Sequence, residues 1–278
     1  MIIRQLQPED CFAAKALWQE IFCDTAPFAN WFFAHRFTPT LSFGAYEDDR
    51  LVSMALGRRV RTEVPGMETV LISGVSTLPE FRRQGLMNET MHRLLDNAKA
   101  RGYELALLSP AIPDLYRPFG FEPLTYAVET TEIAGEDDGI VTEGSSLAML
   151  YRMYWIAAKR HFCMLRRTLP DMRHALEEYG RDNGRTLLAP YGAGYLCYLP
   201  GKEEIEVTEC LADTPKTYRM LLRAAANRSP SGQVKALLPV DSGLAGTLVR
   251  PQHGLALKDG VHLEAIAADR RAFCIERY

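Results

Sequence analysis

The chain has 278 residues, more than one compact domain usually holds, so two domains or one enlarged α/β domain are the starting expectation. Hydrophobic residues make up 47% and charged residues 24%, enough apolar side chain for a core, which excludes disordered and fibrous classes. The formal net charge of -3 supplies no general basic field, so a nucleic acid is not expected as a partner.

Residues 2–6 are predicted as a strand. Pro8 opens a helix in which Phe12, Ala13, Ala16, Leu17 and Ile21 recur at helical spacing. A second amphipathic segment, residues 27–35, carries Phe28, Trp31 and Phe32. Strands at 41–46 and 51–56 flank the polar turn Glu47, Asp48, Asp49, Arg50 as a hairpin, and another strand covers 69–77. Met87, Met91, Leu94, Leu95 and Ala98 then form one face of a helix that stops at Gly102. Residues 103–109 are nearly continuous in apolar side chains, as suits a strand covered on both faces. Strand, helix and strand in this order predict a parallel pair, with the helix start at one end of the sheet.

The composition shifts at Gly135, Glu136, Asp137, Asp138 and Gly139, and again at Gly144, Ser145 and Ser146. This predicts a linker between domains 1–140 and 145–278; the alternative is a long solvated turn within one domain. The second half resumes with helices from Leu147 and over 171–179. Strands at 185–189, 194–199 and 204–211, a helix at 214–227 and a strand at 234–238 follow, repeating the element order of the first half. Cys11, Cys23, Cys163, Cys197, Cys210 and Cys274 form no CxxC pair and stand near no histidine at ligand spacing, so reduced thiols and no metal are expected. The start, MIIRQLQPED, lacks a signal peptide's apolar run, and no stretch approaches the roughly 20 apolar residues of a membrane helix. A cytoplasmic protein without a membrane partner is expected.

The chemistry concentrates in residues 72–87, ISGVSTLPEFRRQGLM. Here Arg82 and Arg83 precede a glycine between strand and helix, and the backbone amides of Arg83, Gln84, Gly85, Leu86 and Met87 are free to converge on an anion, a pyrophosphate above all. Gly85 lets the backbone come close to it. The segment is neither a GxxxxGK loop nor a GxGxxG fingerprint. Downstream stands LYRPFGFEP, residues 115–123.

The pair of motifs resembles the GCN5-related N-acetyltransferase (GNAT) superfamily. Its (Q/R)xxGx(G/A) loop is matched by Arg82, Arg83, Gln84, Gly85, Leu86, Met87, and its later aromatic segment by Tyr116, Arg117, Pro118, Phe119, Gly120, Phe121. Met87 stands where the family usually carries a small residue. That departure, with the wording PEFRRQGLM and LYRPFGF, is more similar to the Eis-like branch. The match is specific over residues 70–121 and thin beyond the first half.

The resemblance implies an α/β (α+β) GNAT fold: a mixed central sheet flanked by helices, followed by a degenerate GNAT-like domain that shapes the acceptor pocket. It implies acetyl-CoA as cosubstrate, its pantetheine arm along Val75, Ser76 and Thr77, and direct transfer to a primary amine of a small molecule or peptide. It also implies self-association. The alternative is a non-catalytic acyl-CoA-binding or regulatory protein.

An alkyl ammonium, with a pKa near ~10.4, costs about 4 to 5 kcal/mol to deprotonate at neutral pH, so a base is needed. The leaving thiolate in turn needs a proton. Tyr116 matches the family's general acid; the alternative is packing beside Phe119 and Phe121. In the Eis-like enzymes a C-terminal carboxylate carried by a third, sterol-carrier-like domain reaches the active site. The sequence stops at Tyr278, short of three domains, which leaves the Tyr278 carboxylate or a water. Asp24, between the first two helices, is a candidate for attracting a cationic amine or, alternatively, a helix-terminal or solvated residue. Glu206, Glu209 and His253 are expected at solvated or strand-face positions. Asp241, Ser242 and His253 suggest a hydrolase triad only weakly, since GxSxG is absent.

Overall fold

The computed structural model describes residues 1–136 and 140–274. Residues 137–139 of the predicted linker, and Tyr278, lie outside the described residues.

In the first half the order is β1 (Ile2–Gln5), α1 (Cys11–Phe22), α2 (Ala26–His35), β2 (Phe43–Glu47), β3 (Arg50–Arg61), β4 (Glu68–Thr77), α3 (Leu86–Ala100), β5 (Leu105–Leu108) and β6 (Glu122–Pro123). Helix boundaries follow local chemistry. Thr25 caps α2 by accepting a hydrogen bond from the Phe28 amide at 3.3 Å, and Gly102, with φ +82°, lies just beyond the end of α3. The apolar stripe of α3 is buried at Leu86, Met91, Leu94, Leu95 and Ala98. Each large side chain there contributes roughly 1.5–3 kcal/mol.

Strand alternation divides the core into layers. Val70, Ile72, Ala106 and Leu108 face α3 together with Met91 and Leu94. Leu71, Leu105 and Leu107 face the other way, against Leu124, Cys163, Leu165 and Cys274. Trp18, Phe32 and Phe33 of α1 and α2 pack with Val52, Met54 and Leu56 of β3. Four of the six cysteines are buried, and Cys23 is exposed.

The first half ends with β7 (Ala127–Ile133), and the second half comprises β8 (Thr142–Glu143), α4 (Leu147–Arg160), α5 (Leu169–Arg181), β9 (Arg185–Leu188), β10 (Gly194–Leu199), β11 (Glu206–Ala212), α6 (Pro215–Ala226), β12 (Gln233–Leu238), β13 (Thr247–Val249), β14 (His253–Ala256) and α7 (Leu263–Ala268). The predicted helix and strand order from 147 to 238 is thus observed.

The two halves exchange strands. The first sheet runs β1-β2-β3-β4-β5-β14-β6, so a strand from the chain's last part sits beside β5. In the second half, β8-β9-β10-β11 form one sheet and β12-β7-β13 another, with β11 lying against β12. Position by position the strand order is the same in both halves, and in each the next-to-last place is filled by the other half's strand. A division at 140–145 therefore does not coincide with sheet membership. The halves also meet through the Arg36–Glu178 ion pair at 3.1 Å, a hydrogen bond from Thr25 Oγ1 to Asp182 at 2.6 Å, and the Thr62–Leu165 bridge. No helix among the described residues is long and apolar enough to cross a membrane.

Candidate active site

β4 and β5 are parallel and pair only over Thr69–Leu71 with Leu105–Leu107. Beyond that rung β4 continues to Thr77 while β5 stops at Leu108, so the strands part and one backbone edge of β4 is left open. The other edge is fastened to β3, where Ser53 Oγ donates to the Ser76 carbonyl at 2.9 Å and lies 2.8 Å from the Thr77 hydroxyl. The β3–β4 register shifts between Met54 and Leu56, next to Gly74. Gly74 has φ +58°, and a Cβ there would lie 2.6 Å from the Trp18 ring, so only glycine suits this bulge.

The loop from β4 to α3 holds itself open. Arg82 Nε donates to the Thr77 carbonyl at 3.1 Å, and Gln84 Nε2 donates to the Glu80 carbonyl at 3.4 Å. Arg83 takes φ +63° and Gly85 φ +80°, and Gly85 is the residue from which α3 starts. No side chain caps this helix, and nothing lies within 4 Å of where a Gly85 Cβ would stand. The first amides of α3 have no intrahelical acceptor. Arg82, Arg83, Gln84 and Gly85 are exposed, while Leu86 and Met87 anchor the helix start in the core. Open space, uncapped amides and two guanidinium groups form the donor set a diphosphate requires.

Tyr116 follows a short turn after β5. Its ring meets Phe121 edge-on at 6.2 Å and 79°, and it packs on the same cluster as Val75 and Met87. Both sequence motifs therefore converge on one layer. The Tyr116 hydroxyl makes no hydrogen bond among the described residues, and burial pushes its pKa up, so the phenol keeps its proton at neutral pH.

Asp24 is half-buried and accepts a hydrogen bond from Trp18 Nε1 at 2.7 Å. Burial raises its pKa, the Trp18 bond opposes this, and nearby Asp182 adds to the rise. Because Trp18 also rests on Gly74, Asp24 is joined to the β4 bulge through one side chain.

Of the two alternatives given for Glu209 and His253, solvated or strand-face, both residues take the second. Glu209 is buried rather than solvated: Arg167 Nη1 donates to both its oxygens at 3.2 and 2.9 Å, and the Tyr179 and Tyr195 hydroxyls bond to it as well. A neutralising partner far away in sequence makes that burial tolerable. His253 is also buried, as part of β14 in the first sheet. Asp241 bonds instead to His161 Nε2 at 2.8 Å and to Arg160 at 3.3 Å, and these, His161 first, hold its carboxyl below the usual range. The hydrolase triad therefore does not form. Glu206 is exposed, as expected. The described residues contain no cluster of metal-ligating side chains.

A sheet that parts beside an uncapped, glycine-started helix, with a tyrosine turn on the same layer, defines an acetyltransferase fold of the GNAT class. Residues 2–124 match the family model of the acetyltransferase (GNAT) domain, so this first part of the chain is a GNAT domain. The chain is 32% identical over 99 residues to an uncharacterized N-acetyltransferase of Streptomyces avermitilis, a match covering 33% of this chain and 24% of that protein. It is 31% identical over 113 residues to an uncharacterized N-acetyltransferase of Streptomyces coelicolor, covering 35% of this chain and 27% of the relative. The chain thus matches about a quarter of the length of these relatives.

Similar solved structures include a probable N-acyltransferase from Enterococcus faecalis, with a TM-score of 0.70 and 16% identity over 92% of this chain and 72% of the other. Another is Eis1 from Mycobacterium abscessus, with a TM-score of 0.66 and 16% identity over 93% of this chain and 74% of that one. These are likenesses of fold, and they run through both halves.

Proposed function

We propose that the protein transfers an acyl group from acyl-CoA, with acetyl-CoA as the donor that the family resemblance implies, directly to a primary amine. The observation that carries this is the parting of β4 and β5 beside the uncapped start of α3. The open edge at Val75, Ser76 and Thr77 would hold the pantetheine arm. The loop residues Arg82, Arg83, Gln84 and Gly85, with Leu86 and Met87, would hold the diphosphate. Acyl-CoA supplies a thioester already activated toward amines.

Tyr116 supplies the proton for the departing sulfur, a role suited to a phenol that burial keeps protonated. Asp24 draws a cationic amine toward the bulge. For the base we propose the Tyr278 carboxylate. In support, Cys274 is buried against Leu71 and Leu107, the last paired residues before β4 and β5 part. Activity that survives deletion of 275–278 would eliminate that base.

The second half, as a degenerate GNAT-like domain, shapes the acceptor side in this proposal. In support, α5 packs on α2, and a cleft of about 940 Å³ is lined by Thr25 and Pro27 on one side and Asp182, Glu206, Lys235 and Leu237 on the other. The cytoplasmic setting and self-association belong to the same proposal, and sedimentation of the purified protein tests the latter.

The deciding experiment is a thiol-release screen of acetyl-CoA against a library of primary amines, then of other acyl-CoAs. An enzyme releases CoA with at least one amine. A protein that binds acyl-CoA but releases none with any amine is a regulatory binder instead.

A further inference from the structure

Strand exchange brings a buried histidine to the catalytic sheet from the far end of the chain. β14 is antiparallel to β5, so its first residue, His253, stands opposite the last residue of β5, Leu108; on its other side it faces Pro123. Since β4 and β5 are parallel, this rung lies at the carboxyl edge of the sheet, the edge that carries the Arg82–Gly85 loop and the Tyr116 turn.

Opposed residues share a face, and so do alternate residues along a strand. His253 therefore lies on the α3 side with Leu108 and Leu255, the layer that also contains Phe121 and Tyr116. His253 is 6% exposed, and its Nδ1 is buried without a hydrogen-bond partner among the described residues. Such an orphan is costly to keep and calls for a partner in some state of the molecule. The Tyr116 hydroxyl, on the same layer, is likewise without one among the described residues.

The charged groups facing His253 are Arg250, Glu122 and Arg117. Burial and then Arg250 hold the imidazole below the usual histidine range; Glu122 opposes this, and Arg117 adds to it. The ring is therefore neutral at neutral pH, with one N–H to give.

We propose that His253 is a positioning residue for Tyr116: in the CoA-loaded protein its Nδ1–H donates to the Tyr116 hydroxyl oxygen. This rests on Tyr116 as the proton donor. As the Tyr116 O–H bond breaks and an S–H bond forms, the phenolate oxygen keeps the imidazole hydrogen bond and regains a proton from solvent. Stabilising that oxygen makes the phenol a stronger acid without moving the cofactor loop.

The test is a pH titration of the full chain carrying 13Cζ-labelled tyrosine and saturated with coenzyme A, with the Tyr116 signal assigned by Tyr116→Phe. In the wild type and in His253→Asn, whose amide nitrogen takes the Nδ1 position, Tyr116 is expected to titrate about one pH unit, a tenfold difference, below its midpoint in His253→Leu. His253→Gln, which carries its amide at the Nε2 position, should behave like the leucine variant and guards against misfolding of the latter. In turnover, His253→Leu should lower kcat about tenfold with KM for acyl-CoA within about twofold, raise the alkaline limb of the pH profile, and be rescued by asparagine. Equal Tyr116 titrations in the wild type, His253→Leu and His253→Gln would overturn the inference. Full turnover by Tyr116→Phe would instead remove the proton-donor assignment, while the titration still decides whether the hydrogen bond exists.

Discussion

The two halves carry the same strand order but treat equivalent helix starts in opposite ways. In the first half α3 starts from Gly85 with no side-chain cap and open space in front. In the second half Thr214 caps α6 by accepting from the Thr217 amide at 3.2 Å, Pro215 removes one amide altogether, and the Asp213 carboxylate accepts the Thr217 hydroxyl at 2.8 Å. A carboxylate already stands where an anion would bind. The space beyond is reduced to a cavity of about 80 Å³ lined by His161, Asp213, Thr214, Tyr218 and Asp241, and the His161–Asp241–Arg160 bonds close it. One topology can therefore present an anion site or seal it, and a handful of residues at the helix start decides which.

The comparison can be broken most severely by separating the halves. A fragment of residues 1–140 lacks β14, leaving β5 without a neighbour on one side and β6 without its partner. It is expected to give no cooperative unfolding transition by circular dichroism, whereas a fragment that unfolds cooperatively would make the first half autonomous. Next in size, Gly85→Asp sets a carboxylate in the open cradle at a positive φ. Acyl-CoA affinity in calorimetry should fall by about 100-fold or more with the far-ultraviolet spectrum unchanged.

Tyr116→Phe should lower kcat by roughly 100-fold while acyl-CoA affinity stays within about twofold. Because burial raises the Tyr116 pKa, wild-type turnover should persist through neutral pH and be lost only as pH climbs past the raised phenol value. Asp24→Asn should raise KM for a cationic amine several-fold. The Asp24 carboxyl has a raised pKa in the fold, so its favourable contribution is present below the unfolded value of ~3.9 and is lost as pH rises through the folded value. The asparagine variant should therefore be slightly more stable at pH 7 in urea melts. The smallest effect is Thr214→Ala, which removes the α6 cap: about 1 kcal/mol of stability lost, with acyl-CoA affinity unchanged. A change in affinity there would show that the sealed start still takes part in binding.

Much of the first half was legible because its signals are local. Met87, Met91, Leu94, Leu95 and Ala98 announce a helix by period alone, and Gly85 with two arginines marks its start as a candidate anion site. The parallel pairing of β4 with β5 followed from strand, helix, strand order, whereas the open edge of β4 came only with the family resemblance. What escaped was pairing across long sequence distances. β14 is four residues, His253–Ala256, with a glycine whose Cβ would meet Leu124 at 2.6 Å, and nothing so short carries a period. Its place beside β5 is settled by tertiary contact, so the sequence left His253 between a solvated and a strand-face position. Glu209 stayed between the same alternatives for a related reason: a carboxylate in a strand gives no sign of burial until Arg167, from the segment before α5, is seen beside it.

The strand exchange also sets a timetable for synthesis. When β5 and β6 leave the ribosome, β14 is still more than a hundred residues from being made, a delay of roughly ten seconds at ordinary elongation rates. Throughout that interval the apolar edge strand Leu105–Leu108 lacks its permanent neighbour, and an uncovered edge of that kind is a template for unwanted pairing. The nascent chain is thus at its most vulnerable just after its cofactor motifs have appeared, and the late strand that completes the sheet also ends the exposure.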